Sequence, residues 1–270
     1  MSTLRTDSVL DAIVARKRED LPAEVAARPL AELRRAVESI APAPDFALAL
    51  RGPDVRVIAE IKRASPSKGV LAESVHPAEL GRRYTAGGAD AISVLTEVHR
   101  FNGSLDDLAA VRAAVDLPLL RKDFLFDPYH LYQARAVGAS AALLIVAMLE
   151  QGALRDLTAL AYELGLTPLV EVHAEAEVER ALAAGARVVG VNNRNLHTFD
   201  VDLAVTERLR PLLPKETTVV GESGVFGAAE VARLRAAGVD AILVGEALMR
   251  AGLDGVGAKI AELKGTAVPA

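Results

Sequence analysis

From Val55 onward the chain alternates short, continuously apolar runs with longer segments whose apolar residues recur at helical spacing. The runs Val55–Arg63, Ala89–Glu97, Leu117–Phe124, Ala139–Ala147, Thr167–His173, Arg187–Arg194, Thr217–Ser223 and Asp240–Gly245 predict eight strands. They lack the alternation of a half-solvated sheet, so both faces are expected to be covered, as in parallel sheets. Helices are predicted between them over Pro77–Ala86, Leu105–Val115, Asp127–Val137, Ala153–Leu164, Ala174–Ala184, Leu203–Leu213 and Ala228–Ala237. Eight strand–helix units in about 210 residues fit one closed (β/α)8 barrel, the TIM-barrel class of α/β protein. A doubly wound open sheet is the alternative. It calls for a reversal of strand order and a glycine-rich dinucleotide turn, and no G-x-G-x-x-G follows any of the strands.

An internal repeat favours the barrel. Gly88-Ala-Asp-Ala, Gly138-Ala-Ser-Ala, Gly185-Ala-Arg-Val and Gly238-Val-Asp-Ala recur at intervals of roughly 50 residues, each between a helix and the second, fourth, sixth or eighth strand. Glycine there supplies the left-handed conformation that ends a helix. The period holds two strand–helix units, so the chain reads as four quarter-barrels. Residues 1–50 differ. Leu10, Ile13, Val14 and Lys17 share helical spacing behind the N-cap candidates Thr6, Asp7 and Ser8, and the mixed charges from Arg16 to Asp20 are expected to close that helix. A second helix is predicted over Leu30–Ile40, stopped by Pro42 and Pro44 before Phe46–Leu50. Residues 1–270 are expected to form a single barrel domain, with 1–50 as a helical extension packed on it as lid, interface element or simple packing.

Composition narrows the class of function. The 270 residues are 51% hydrophobic and 25% charged, as in ordinary globular proteins. A net charge of -5, with no polybasic run, argues against nucleic acid as a partner. Cysteine is absent, which excludes disulfides, thiolate metal sites and cysteine nucleophiles. The five histidines, His76, His99, His130, His173 and His197, show no metal-ligand spacing, so no metal is expected. The segment MSTLRTDSVLDAIVARKRED has no apolar core of signal-peptide type, and the longest apolar run, Ala139 to Leu149, is too short to span a bilayer. A cytoplasmic monomer with no membrane partner is expected.

In a barrel of this class the active site lies where the strands end and the βα-loops begin. The stretch VRVIAEIKRASPSKG, Val55 to Gly69, places Glu60 and Lys62 two residues apart in an apolar strand, hence on one face. Burying either charge alone is costly, and pairing only partly offsets this. Alone, the pair reads equally as an interior salt bridge followed by a solvated turn. Other strand ends supply Thr96–Glu97 with Arg100-Phe101-Asn102-Gly103, then Lys122–Asp123, Glu171, Asn192-Asn193-Arg194, Glu222–Ser223 and Gly245–Glu246. Two carboxylates, two lysines and an asparagine converging on one mouth are hard to assign to structure alone. Lysines near other cations and apolar walls have lowered pKa values, which suits them to proton transfer near neutrality.

The last two loops carry a phosphate signal. Strand seven ends Val219-Val-Gly-Glu-Ser-Gly224, and strand eight ends Leu243-Val-Gly-Glu-Ala-Leu-Met249, whose last residues can open a helix. Glycines let backbone N–H groups approach an anion, and phosphate sites in these barrels often follow strands seven and eight. The alternative is that Gly221, Gly224 and Gly245 merely permit tight turns.

AEIKRASPSKG at Ala59–Gly69 resembles the signature of the indole-3-glycerol phosphate synthase family. The resemblance continues through VLTEVHRFNGS, LLRKDFLFDPYHLYQARAVGA, LLIVAML, LVEVH, VGVNNRNL, VGESGV and GEALM, and IVARKRED resembles that family's extra helix. It covers nearly the whole chain. It implies conversion of a small phosphosugar, 1-(2-carboxyphenylamino)-1-deoxyribulose 5-phosphate, to indole-3-glycerol phosphate, carbon dioxide and water, a step of tryptophan biosynthesis that needs no cofactor or metal. The resemblance makes Lys122 the general acid at the substrate carbonyl and Glu171 the stabiliser of the cationic intermediate or a proton carrier. Glu60 and Lys62 serve the later dehydration, Asn192 orients hydroxyls and Glu222 completes the polar ring. Ser65, Gly224, Gly245 and nearby backbone hold the phosphate, and Ser223 and Glu246 belong to the substrate-binding set, with the Glu246 side chain turned outward. Phe101, Phe124 and Arg194 wall or position the anthranilate end, and the polar loop after strand one is a flap beside the phosphate. Two alternatives stand beside this reading. Another phosphosugar barrel such as phosphoribosylanthranilate isomerase would need a cysteine–aspartate pair, and a catalytically silent phosphosugar-binding barrel would not need Glu60, Lys62, Lys122, Glu171 and Asn192 together.

Overall fold

The computed structural model describes residues 2–65, 69–70 and 76–266. Eight parallel strands close into a barrel: β1 (Arg56–Ile61), β2 (Ala91–Leu95), β3 (Leu119–Lys122), β4 (Ala141–Ile145), β5 (Thr167–Val172), β6 (Val188–Asn192), β7 (Thr218–Glu222) and β8 (Ala241–Val244). Each pairs with the next, and β1 closes the ring between β2 and β8, with Glu60 opposite Ser93 and Val57 opposite Ile242. Every residue of β2, β4 and β7 is buried, as continuous apolar runs between a packed interior and a helical shell require. All eight expected strands are present, each shorter by one to a few residues, and the fourth gives way to a 3-10 turn over Val146–Met148.

The outer ring is α4 (Pro77–Ala86), α5 (Leu105–Ala114), α6 (Pro128–Ala136), α7 (Gln151–Glu163), α8 (Glu175–Ala183), α9 (Ala204–Leu209), α10 (Ala228–Ala236) and α11 (Glu246–Lys264). The helix expected over Leu203–Leu213 shortens to α9 and continues as a 3-10 turn, Arg210–Leu212, around Pro211. Gly88, Gly138, Gly185 and Gly238 each lie two residues beyond a helix, with φ of 87°, 86°, 84° and 87°, so the quarter-barrel repeat is a conserved piece of geometry within the molecule. In three repeats the next polar side chain also ties down the preceding strand: Asp90, Ser140 and Asp240 accept the N–H groups of Val57, Leu119 and Val219.

The extension contributes α1 (Val9–Ala27), α2 (Leu30–Ser39) and α3 (Phe46–Ala49). Ser8 caps α1, and Leu10, Ile13, Val14 and Lys17 are its buried face. Contrary to expectation, the charges from Arg16 to Asp20 do not end this helix. Arg16 pairs with Glu19 and Asp20 along an exposed face, and the chain stays helical past Pro22. Contacts from α6 hold that last part: the Tyr129 hydroxyl reaches the carbonyls of Glu24 and Arg28 at 2.8 Å, and Gln133 donates to the Glu24 carboxylate. No helix among the described residues is long and apolar enough to cross a membrane.

Candidate active site

One cavity opens at the carboxyl ends of the strands. Glu60, Lys62, Phe101, Lys122, Phe124, Glu171, Asn192, Arg194, Glu222, Ser223, Gly224, Gly245 and Glu246 all line it. The Ser65 side chain and residues Pro66–Lys68 of the expected flap lie outside the described residues. What is described beside them is a short ribbon pairing Ala64–Ser65 with Gly69–Val70, and Arg63 bound to Asp107 and to the Asn102 carbonyl.

Two charge groups face each other across the mouth. At the end of β1, Lys62 Nζ lies 3.0 Å from Glu60 Oε1, and the Ser93 hydroxyl donates to Glu60 Oε2 at 3.4 Å. Across the barrel, Lys122 Nζ sits between Glu171 and Glu222, at 3.1 and 3.3 Å. Glu171 and Glu222 are both 2% exposed, so their charges interact with little screening by water. Burial alone would pull the Lys122 ammonium down, but Glu171, Glu222 and Glu60 outweigh it and hold its pKa above the ordinary lysine value. This reverses the lowered lysine pKa expected from the sequence, because its near neighbours are carboxylates rather than cations. Burial pushes Glu171 up, but Lys122 and then His173 pull it down to about 2. Glu222 goes the other way: burial raises it, Lys122 opposes, the Glu171 carboxylate adds to the rise, and it reaches about 8. At neutral pH the trio is therefore a lysinium, a carboxylate and a carboxylic acid.

Two glycines make room for these side chains. A Cβ at Gly190 on β6 would stand 2.0 Å from Glu222 Oε1, and one at Gly245 would stand 2.6 Å from Glu60 Oε1. Ser223, at φ 65°, donates its hydroxyl to Asn192 Oδ1 at 2.9 Å, linking the ends of β6 and β7. Arg194 donates to the Phe199 carbonyl at 2.9 Å, and the rings of Phe101 and Phe124 lie 5.9 Å apart on one wall. The Glu246 carboxylate turns along α11 to Arg250 at 2.6 Å, and the residue lines the cavity. Other strand-end polar residues are structural. Glu97 folds back to accept N–H groups of His99, Arg100 and Phe101, and Asn193 donates to the Glu222 carbonyl. Among the described residues no group of three or more histidines and carboxylates could hold a metal ion.

A family model described as Indole-3-glycerol phosphate synthase matches residues 10–263. The chain belongs to the indole-3-glycerol phosphate synthase family. An indole-3-glycerol phosphate synthase of Dehalococcoides mccartyi (strain CBDB1) is 51% identical over 259 residues, covering 94% of this chain and 99% of that one. Another, of Mycolicibacterium gilvum (strain PYR-GCK), is 54% identical over 246 residues, covering 91% and 90%. Among solved structures, a tryptophan synthase alpha-subunit mutant from Pyrococcus furiosus aligns with a TM-score of 0.58 at 16% identity, over 78% of this chain and 98% of that chain. An N-acetylmannosamine-6-phosphate 2-epimerase from Clostridium perfringens aligns at 0.61 and 14%, over 77% and 93%. At such identities the likeness shows the barrel alone.

In this indole-3-glycerol phosphate synthase family member, three features in and around the cavity escaped the reading of the sequence. Val9, Leu10 and Ile13 of α1 form part of the cavity wall, so the extension is more than an outer prop. Their apolar character made them indistinguishable from core residues. Lys17 of the same helix pairs with Asp123 at 2.8 Å, next to Lys122. His173, examined in the sequence only for metal spacing, has Nε2 3.4 Å from Glu171 Oε1. Its position two residues after Glu171, and four before Glu177, was the available signal.

Proposed function

We propose that this cavity closes the indole ring of indole-3-glycerol phosphate, the chain being a carbon–carbon lyase that releases carbon dioxide and water from 1-(2-carboxyphenylamino)-1-deoxyribulose 5-phosphate. The observation that carries the assignment of roles is the buried trio of Lys122, Glu171 and Glu222, in which one cation faces one carboxylate and one acid. Lys122 donates a proton to the substrate carbonyl oxygen as the aryl carbon bearing the carboxylate attacks the carbonyl carbon. The ring becomes cationic, and the Glu171 carboxylate stabilises it. Loss of carbon dioxide returns the electron pair and restores aromaticity. Glu222, protonated at neutral pH, offers a hydrogen bond rather than a second negative charge, so Lys122 remains a competent donor.

Dehydration follows at the other charge group. Lys62 protonates the departing hydroxyl, and Glu60, 3.0 Å away, receives the proton lost from the ring carbon next to nitrogen. Phe101 and Phe124 hold the aryl ring, Asn192 and Ser223 meet the sugar hydroxyls, and Arg194 faces the carboxylate end. The phosphate lies at Gly224 and Gly245. There Met249 N donates to Gly245 O as the first bond of α11, which leaves the preceding N–H groups without helical acceptors. Holding an extended, flexible sugar against its own aryl ring supplies much of the acceleration. We also infer a monomer working in the cytoplasm, in line with a chain that contains no cysteine. The test is direct: pure protein supplied with the carboxyphenylamino substrate is expected to produce indole fluorescence, with one carbon dioxide released per product and no loss on adding a metal chelator. Absence of indole product would overturn the assignment.

A further inference from the structure

The proposed reaction has a proton balance that its own site does not close. Two protons go to the carbonyl oxygen, which leaves as water. One proton returns from the ring carbon beside nitrogen. The carboxylate leaves as neutral carbon dioxide. Each turnover therefore takes one proton from solvent, and the groups that must be recharged are buried.

His173 stands on the line from those groups outward. Its Nε2 is 3.4 Å from Glu171 Oε1, and its Nδ1 is 3.4 Å from Glu177 Oε2. The Glu177 carboxylate also accepts the His173 backbone N–H at 2.7 Å, which fixes the residue at the end of β5 against α8. Side-chain exposure rises along the series, from 2% at Glu171 to 12% at His173 and 17% at Glu177. Glu171 lines the main cavity, whereas His173 and Glu177 line a second groove behind it, bordered by Arg5, Arg180 and Arg208.

The ring is placed between two acceptors. Either neutral tautomer turns one lone pair toward a carboxylate, and only the imidazolium offers an N–H to both. Nε2 is buried and makes no hydrogen bond among the described residues, so the contact to Glu171 is a loose one, open to a proton in transit. The charged groups facing the ring are Glu171 on its own strand, Glu177 on α8 and Glu222 on β7, with Lys122 beyond Glu171. Burial lowers the ring's affinity for a proton, but Glu177 and Glu171 outweigh it, so the imidazole is more basic than usual.

We propose that His173 is a relay residue, which passes protons from the groove at Glu177 through Glu171 to Lys122 between turnovers. This rests on the roles proposed above for Glu171 and Lys122. In each transfer the imidazolium gives its Nε2 proton to Glu171 and regains one from solvent through Glu177, so no other reactant is needed.

The test is a pre-steady-state experiment with His173→Gln, which keeps a polar side chain but cannot carry a proton. The first turnover is expected at near the wild-type rate, followed by a steady state slower by about a hundredfold, the lower end of the range for a lost proton carrier. Added imidazole is expected to speed the steady state and leave the first turnover unchanged. A steady state equal to wild type, or one indifferent to imidazole, would overturn the relay. Should the Gln variant fold poorly by circular dichroism, His173→Asn carries the same comparison. Lys122→Ala separates the two readings: it removes the first turnover itself if the site roles hold, and full activity in it would overturn those roles rather than the relay alone.

Discussion

Lys122 and Asp123 are chain neighbours at the end of β3, and each sits in a buried cluster of charges, yet the two clusters are built on opposite terms. Asp123 faces the shell. Its Oδ1 accepts from Lys17 Nζ and from the Phe124 N–H at 2.8 Å each, and its Oδ2 accepts from Thr96 Oγ1 at 2.8 Å and Arg121 Nη2 at 3.0 Å. Every oxygen has two donors, and Lys17 and Arg121 outweigh burial to hold the carboxyl far below its usual range. Lys122 faces the mouth. There one ammonium serves two carboxyl groups, Glu222 Oε1 has no partner among the described residues, and the two are driven apart to about 2 and about 8. A saturated cluster has one protonation state and one geometry, so it fixes structure. An unsaturated one has protons to move and places left for a substrate.

The contrast can be broken most forcefully at Glu171. Glu171→Gln is expected to lower kcat/KM by about 100-fold to 10000-fold, the range for a lost acid–base group. Its unfolding midpoint should change little, because Glu222 can release its proton and restore the balance around Lys122. Asp123→Asn should do the reverse. No proton can compensate for Lys17 and Arg121, so a loss of about 3 kcal/mol is expected by denaturant unfolding, with kcat/KM of the folded fraction within about tenfold of wild type. An equal split of both effects between the two variants would dissolve the distinction.

The pH dependence sharpens it. Glu222 is raised from 4.5 to about 8 on folding, so its contribution to stability is fully present below pH 4.5 and is lost as pH rises toward 8. Glu171 is lowered from 4.5 to about 2, so its contribution is present above pH 4.5 and is lost as pH falls toward 2. Glu222→Gln should therefore gain stability over wild type between pH 5 and 8, and should lack an alkaline fall of kcat/KM near pH 8. Matched unfolding midpoints and rate profiles across that span check both. The smallest effect is expected at Lys17→Met. With Arg121 and Thr96 still holding Asp123, about 1–3 kcal/mol should be lost, visible as a shifted midpoint with turnover retained.

Much of this was legible in the chain. Continuous apolar runs announced a sheet covered on both sides, and a charge set in such a run, as at Glu60, Lys62, Lys122 and Glu171, had to be paired or used. The four repeat glycines marked positions where backbone geometry alone dictates the residue. The rest depended on relations that no linear pattern carries. Lys122 reads as a cation among cations beside Arg121, and only the closed barrel brings Glu171 and Glu222 to it from β5 and β7. The length of α1 was set by Tyr129 and Gln133, more than 100 residues away. Gly190 reads as an ordinary strand glycine until Glu222 occupies the space its side chain would fill.

The most direct test of the central claim, that the unsaturated cluster performs the chemistry, is the rate of indole fluorescence from the carboxyphenylamino substrate in Lys122→Ala, measured beside its thermal unfolding. Product formation is expected to fall to background, with a midpoint shifted less than that of Asp123→Asn, since Glu171 and Glu222 can take up a proton in place of the lost ammonium. A variant that still closes the ring at close to the wild-type rate would contradict it.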